Sequence, residues 1–274
     1  MQSELQDNYQ IKHMKKFLFS IVVALAAFVS MSASDNVTKK YENKDFVGLQ
    51  ITNAFSVEIV KSESYNVEVT VPEDYFQYVA VQQTGGKLSI GFKDLPRKLR
   101  SFKSMKGFKA YIAMPELYSL QVSGSSKVEC HDTFSSEMRA IAIECSGSSR
   151  IENLDVTAPS VTVDLSGASR LGLNVKASDL KLEVDGASKL ALTGEADAVK
   201  IKLSGASSID AEKFTNKEVD LKQSGASKME ITIGHALSAE ISGASRCVYY
   251  SDGKIDLDLI GVTEASIFKK GEKK

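Results

Sequence analysis

From Tyr118 to the C-terminus, apolar and polar residues alternate with period two, and the alternation restarts after each of a series of near-identical phrases. The phrases are SGSSK from Ser123, SGSSR from Ser146, SGASR from Ser166, DGASK from Asp185, SGASS from Ser204, SGASK from Ser224 and SGASR from Ser242. Their glycines, Gly124, Gly147, Gly167, Gly186, Gly205, Gly225 and Gly243, are spaced by 23, 20, 19, 19, 20 and 18 residues, the period of a solenoid coil. A decayed copy is centred on Gly261.

Counted from each glycine, the position two before is filled by Val122, Cys145, Leu165, Val184, Leu203, Gln223 and Ile241, and the position four before is aliphatic throughout. The position between them is polar: Gln121, Glu144, Asp164, Glu183, Lys202, Lys222 and Glu240. Such alternation describes a strand with one dry and one wet face. It resumes four and six residues after the glycine, with Cys130, Asn153, Leu173, Leu192, Ala211, Ile231 and Tyr249 in the outer of the two columns. Each coil therefore carries two strands, with six or seven residues left for a short third side.

The predicted fold is all-β, a right-handed parallel β-helix of 18–23-residue coils with less regular N-terminal coils. Glycine at the corner supplies a positive φ that other residues adopt at a cost. The serine two residues on (Ser126, Ser149, Ser169, Ser188, Ser207, Ser227, Ser245) stacks on its counterpart at about 4.8 Å. Repetition argues against any of these serines being a nucleophile, since catalysis needs each group once.

The stretch Val47 to Ile59 fits the same template with Asn53 in the glycine position, so the winding is expected to start there. Tyr65 to Val71 and Val79 to Phe92 read as further strands, the second turning at Gly85 and Gly86.

Residues 1–33 read as a signal peptide: Lys15 and Lys16, the apolar run Phe17 to Val29, then small residues, with Met14 as the expected initiator. An uncleaved N-terminal anchor is the alternative, and no cysteine stands where a lipid anchor would need one. Residues 34–268 form one domain (34–116 irregular, 117–268 regular), followed by a basic tail at 269–274 whose lysines guard an exposed sheet edge. No membrane span is expected after cleavage.

The chain of 274 residues carries 34 basic and 35 acidic side chains, a net charge of −1, which gives no global reason to bind nucleic acid. Cys130, Cys145 and Cys247 sit at unrelated places in the repeat and read as small buried hydrophobes. No HExxH, Walker loop or calcium nonapeptide is present, so no catalytic residue, cofactor or metal is predicted.

Two surfaces are candidates for binding. Three residues after each glycine come Lys127, Arg150, Arg170, Lys189, Ser208, Lys228 and Arg246, an outward basic file partly balanced by Glu129, Glu152, Asp210 and Glu230. It is either a solvated ladder or a site for regularly spaced anions, such as uronic acids or envelope phosphates. The second candidate, Lys93 to Lys109, holds seven basic residues against one acid, with Phe102 and Phe108. The one catalytic alternative is the carboxylate file Glu144, Asp164 and Glu183, as in carbohydrate-active enzymes built on β-helices. A purely structural envelope spacer is the third reading. Oligomeric state is not predicted.

The FSVEIVKSESYNVEVTV segment, the MPELYSLQVSGSSKV junction at Met114 to Val128 and the SGAS ladder resemble the auto-transporter adhesin family of Bacteroidetes, the head GIN domain. The resemblance implies a β-helix-like fold and an exported, envelope or surface location, with polysaccharide or envelope components as partners. It brings no catalytic residues, and no translocator barrel is evident in this chain.

Overall fold

The computed structural model describes residues 36–100 and 106–272; the predicted signal peptide and Met14 lie outside them. The regular coils are built from β8 (Ser119–Val122), β9 (Lys127–Cys130), β10 (Thr133–Ser135), β11 (Ile141–Cys145) and the long strands β12 (Arg150–Leu165), β13 (Arg170–Val184) and β14 (Lys189–Leu203). They continue through β15 (Ser208–Ala211), β16 (Phe214–Gln223), β17 (Lys228–Thr232), β18 (Ala236–Ile241), β19 (Arg246–Tyr250), β20 (Asp256–Val262) and β21 (Ile267–Lys270). All pair in parallel, coil upon coil, as a β-solenoid.

The registers reproduce the sequence columns. Leu165 lies on Val184, Val184 on Leu203, Leu203 on Gln223 and Gln223 on Ile241. The neighbouring file Val163, Leu182, Ile201, Leu221 and Ala239 is buried to within 1%. Each such leucine or isoleucine contributes about 1.5–3 kcal/mol by leaving water. A one-residue slip would turn the whole set outward, so the pattern fixes the register.

At the corners from Gly147 onward, the residue after the glycine donates its backbone N–H to the glycine carbonyl of the preceding corner: Ala168 to Gly147 at 2.7 Å, Ala187 to Gly167 at 2.7 Å, Ala226 to Gly205 at 2.8 Å. The glycines have φ between 68° and 81°. A Cβ would sit only 2.5 or 2.6 Å from that same carbonyl at Gly147, Gly167, Gly205, Gly225 and Gly243. Glycine is therefore required twice, for conformation and for closeness. The stacked serines are 0–1% exposed. Several bond within their own turn, as Ser227 Oγ does to the Ser224 carbonyl at 2.8 Å and Ser245 Oγ to that of Ser242 at 2.7 Å.

The predicted third side is absent as a separate element: β12, β13 and β14 run unbroken around a bend near Ser160, Asp179 and Ala198. The small residues Ala158 and Ala196 fill the inside of that bend, where a larger side chain would hold the two faces apart. Asn153 does not face inward as its spacing predicts. It takes φ 54° beside a register shift between Ile151 and Leu154, and Leu154 occupies the core position opposite Leu173. This β-bulge re-aims the strand by one residue.

The last corner also departs from the expectation. A register shift after Ala239 places Val262 on Ile241, so the corner is Thr263–Ser266, with Glu264 in the glycine column and Gly261 inside β20. Ile267 then pairs with Arg246, in the outward file.

At the N-terminal end, β2 (Gly48–Ile51) and β3 (Ser56–Lys61) form the degenerate coil, with Asn53 and Ala54 both at φ 65°. This coil stacks directly beneath β8 and β9. The chain then leaves the stack: β6 (Lys87–Phe92) and β7 (Lys109–Met114) form a coil on the outer side of β2 and β3. Beyond it lie antiparallel strands, with β4 (Asn66–Pro72) on β7, β1 (Asn36–Tyr41) on β4 and β5 (Val79–Thr84) on β6. A four-residue helix α1 (Glu73–Phe76) follows β4. The winding thus starts one coil further out than the sequence order suggests. Phe55, Tyr75, Phe92 and Phe108, with ring centroids 4.8–5.7 Å apart, pack into this end.

Cys130, Cys145 and Cys247 are buried and unbridged. Burial pushes their thiols up to about 11, about 11 and about 12, so all three stay protonated and shielded at pH 8. A thiol reagent at pH 8 should leave the folded protein unlabelled and modify all three after denaturation; labelling before unfolding would contradict their inward placement. The corner geometry makes a second claim. Gly205→Ala should cost at least about 2 kcal/mol in urea unfolding, from left-handed strain plus overlap with Gly186. Gly253→Ala, with no atom within 4 Å of the new methyl, should stay within about 0.5 kcal/mol of the parent. Equal effects would show that corner stacking does not limit stability.

Candidate functional site

The basic file exists as a physical column. Lys127 registers on Arg150, Arg150 on Arg170, Arg170 on Lys189, Lys189 on Ser208, Ser208 on Lys228 and Lys228 on Arg246. Each outward position follows from the buried serine before it and the buried aliphatic after it, because successive strand residues point to opposite faces.

Its members differ in compensation. Lys127 Nζ lies 2.6 Å from Glu129 and 2.9 Å from Glu152, and Arg150 lies 3.3 Å from Glu152. The hydrogen bonds from Lys127 and then Arg150 hold the Glu152 carboxyl below its ordinary range. Arg170, Lys189, Lys228 and Arg246 have no ion-pair partner among the described residues. The reason is visible beside them: where Glu129 and Glu152 flank the first two levels, Gly172 and Ala191 flank Arg170 and Lys189. These small residues put no acid beside the two stacked cations; further along the same strands come the Thr193 to Asn174 hydrogen bond (3.2 Å) and the Lys176–Glu195 ion pair (2.6 Å). Below Lys228 the flanking acid is Glu230, whose carboxyl is raised by a hydrogen bond with Glu212, by burial and by the Glu212 charge. It shares Tyr250 Oη with Glu212 at 3.4 and 3.2 Å.

The carboxylate file Glu144, Asp164 and Glu183 is likewise in register. Its members are engaged differently. Glu144 accepts from Gln121 Nε2 at 2.8 Å, and Glu183 lies between Lys181 at 2.9 Å and Lys202 at 3.3 Å, whose hydrogen bonds lower it. Asp164 is raised by burial first and then by Glu183, Glu144 and Asp185. None of the three lines the groove of about 480 Å³ at the strand bend, which has Leu180, Val199 and Val219 in its floor and Lys181, Lys200, Asp179 and Glu218 around it. Sequence reasoning missed this groove, because it arises where two strand faces splay and alternation carries no sign of a bend.

The described residues of the segment Lys93 to Lys109, 93–100 and 106–109, follow β6 and lead into β7. Phe108, a candidate surface residue by sequence, is 2% exposed and packs on Phe55, Tyr75 and Phe92. Leu95 is buried with it, and Arg100 Nε is tied back to the Leu95 carbonyl at 2.7 Å. The apolar half of that candidate therefore belongs to the core. Phe102 lies outside the described residues.

Among the described residues no cluster of three or more His, Cys, Asp or Glu could hold a metal ion, and no helix is long and apolar enough to cross a membrane.

The fold is shared with a solved "putative adhesin" from Parabacteroides merdae (TM-score 0.76, 18% identity, 88% of this chain and 98% of that one). It is shared also with a "putative adhesin" from Parabacteroides distasonis (0.74, 18%, 86% and 97%). A "putative lipid binding protein" from Parabacteroides distasonis is equally similar (0.75, 17%, 87% and 97%). No curated protein matches the chain in sequence. Residues 45–253 match the family described as "Putative auto-transporter adhesin, head GIN domain", and with that match spanning most of the solenoid the chain belongs to this family.

Proposed function

We propose that this protein is a non-catalytic, surface-exposed adhesin module that holds a repeating polyanion, a uronic-acid glycan or an envelope phosphate polymer, along its basic file. The observation that carries the reading is the uncompensated set Arg170, Lys189, Lys228 and Arg246 on one column, fixed by the strand spacing and bordered by Gly172 and Ala191. Stacked like charges repel, which is a standing cost to the fold. An anionic polymer would offset that cost at each level, and a rigid ladder loses little conformational freedom on binding. The stacked serines cannot serve as nucleophiles, being buried. The carboxylate file sits outside the groove at 160–238, which weighs against the glycosidase alternative.

A second reading, a lipid ligand, is favoured by the groove with its apolar floor at the bend and by the neighbour described as a lipid-binding protein. Its size falls within the range of small-ligand sites.

Binding of polygalacturonate to the protein should weaken steeply as salt rises. In a variant with Arg170, Lys189, Lys228 and Arg246 changed to Ala, affinity should fall by roughly 30-fold, counting about 0.5 kcal/mol for each exposed contact. Lys127→Ala, which removes a cation already held by Glu129 and Glu152, should change it far less. Undiminished binding by the fourfold variant would remove the basic-file reading; capture of lipid vesicles that is lost on Val199→Glu would favour the groove.

A further inference from the structure

The two ends of the solenoid are finished differently. At the N-terminal end, β1, β4 and β5 add antiparallel strands, and Phe46 and Phe55 lie fully buried beneath them. At the C-terminal end nothing comparable covers the last coil among the described residues. Leu257, Leu259, Ile260, Val262 and Ile267 are 40–64% exposed, and among the described residues Met138 is the only other large hydrophobic so exposed. The outer edges of β20 and β21 carry no partner strand, since each pairs only with the coil before it. An apolar floor ringed by two free strand edges is a template for further β-pairing.

We infer that this end is a self-association surface, and that its occupant is the C-terminal end of a second copy, related by a two-fold axis. Charge selects the arrangement. β20 carries Asp256, 3.8 Å from His235, and Asp258 on its outward face, whereas β21 carries Lys269 on that face and Lys270 in register with Tyr249. β20 leads into the last corner and β21 leads out of it, on the two sides of the coil that β18 and β19 occupy one level before. A two-fold axis running along the strands sets β20 of each copy against β21 of the other, antiparallel, with acid meeting base twice. The other two-fold arrangement, β20 on β20, sets acid against acid and base against base.

The last corner points the same way. Glu264 stands in the glycine column, and the Gly243 carbonyl, which by the ladder would accept a backbone N–H from the next corner, instead accepts from Ser266 Oγ at 2.9 Å. The corner ladder has ended while the strand edges remain open. A further parallel coil would need a glycine approach that Glu264 obstructs, whereas antiparallel edge pairing needs none. Because the apolar core at the N-terminal end is covered, the contact uses the end that carries the exposed apolar residues and gives a closed pair rather than a fibre.

Sedimentation velocity on the protein tests this. The wild type should dimerise, and the surface variants Asp256→Lys with Asp258→Lys, and Lys269→Glu with Lys270→Glu, should each raise the dissociation constant at least tenfold with unchanged circular dichroism. An equimolar mixture of the two should dimerise again, and so should a chain carrying all four reversals, since both restore acid against base. A wild type that stays monomeric at on the order of 100 µM would overturn the inference. So would charge-reversed variants that associate as tightly as the parent.

Discussion

Everything in this fold depends on how closely one corner can lie upon the next. From Gly124 to Gly225 the carbonyl of each corner glycine accepts the backbone N–H of the following corner at 2.7–2.8 Å, and the same carbonyl occupies the space where a Cβ on the next glycine would be. A side chain at that position would lift one coil off its neighbour and break the hydrogen bonds on both flanking strands. Because the chain keeps glycine there through seven corners, the strands on either side are held at ladder distance, and the inward files close without gaps. The buried serine that follows each glycine uses the same constraint: a hydroxyl is small enough to turn inward and can bond within its own turn.

That constraint separates what the sequence must keep from what it may vary. Inward positions are restricted by volume, and corner positions by backbone geometry. Outward positions are restricted by neither, so their chemistry accumulates in straight files. Charges there meet their counterparts one coil away, which is why Lys127 reaches Glu152 and Lys202 reaches Glu183 across levels. Compensation is thus a property of columns, and its interruption at Gly172 and Ala191 changes the electrostatics of two levels at once. Exposed pairs of this kind add little stability. Their distribution therefore weighs little on folding.

The regular coils were legible in the sequence because period-two alternation and a fixed corner phrase are both local signals. The features that escaped it are those where a single residue shifts the frame. Asn153 and Leu154 are both plausible at the inward position by spacing, and only the bulge decides between them. At the last coil Gly261 looks like the corner by composition, yet Thr263 to Ser266 takes that place because the register shifts after Ala239. The stacking of β6 and β7 outside β2 and β3 is a choice between non-consecutive strands, on which alternation is silent. Phe108 was read with the lysines around it, whereas packing with Phe55, Tyr75 and Phe92 sorts it apart from them. For the basic file, position was legible and pairing only in part: the columns name the acids, but the distances decide which cations they hold.

The ends of a solenoid carry the cost that its middle avoids. Every interior coil satisfies its backbone on two sides, while a terminal coil has one side open and an apolar floor with no cover. Here the N-terminal end meets that problem within the chain, by laying the antiparallel strands β1, β4 and β5 and a cluster of aromatic rings across the opening. Antiparallel strands suit this purpose because they need no corner in register with those below. Among the described residues the C-terminal end has none of that cover, and its two last strands carry opposite charge. What differs between the two ends is therefore the source of the covering strands, and the glycine ladder determines where each end begins: at Asn53 and Ala54, which imitate its conformation, and at Glu264, which does not.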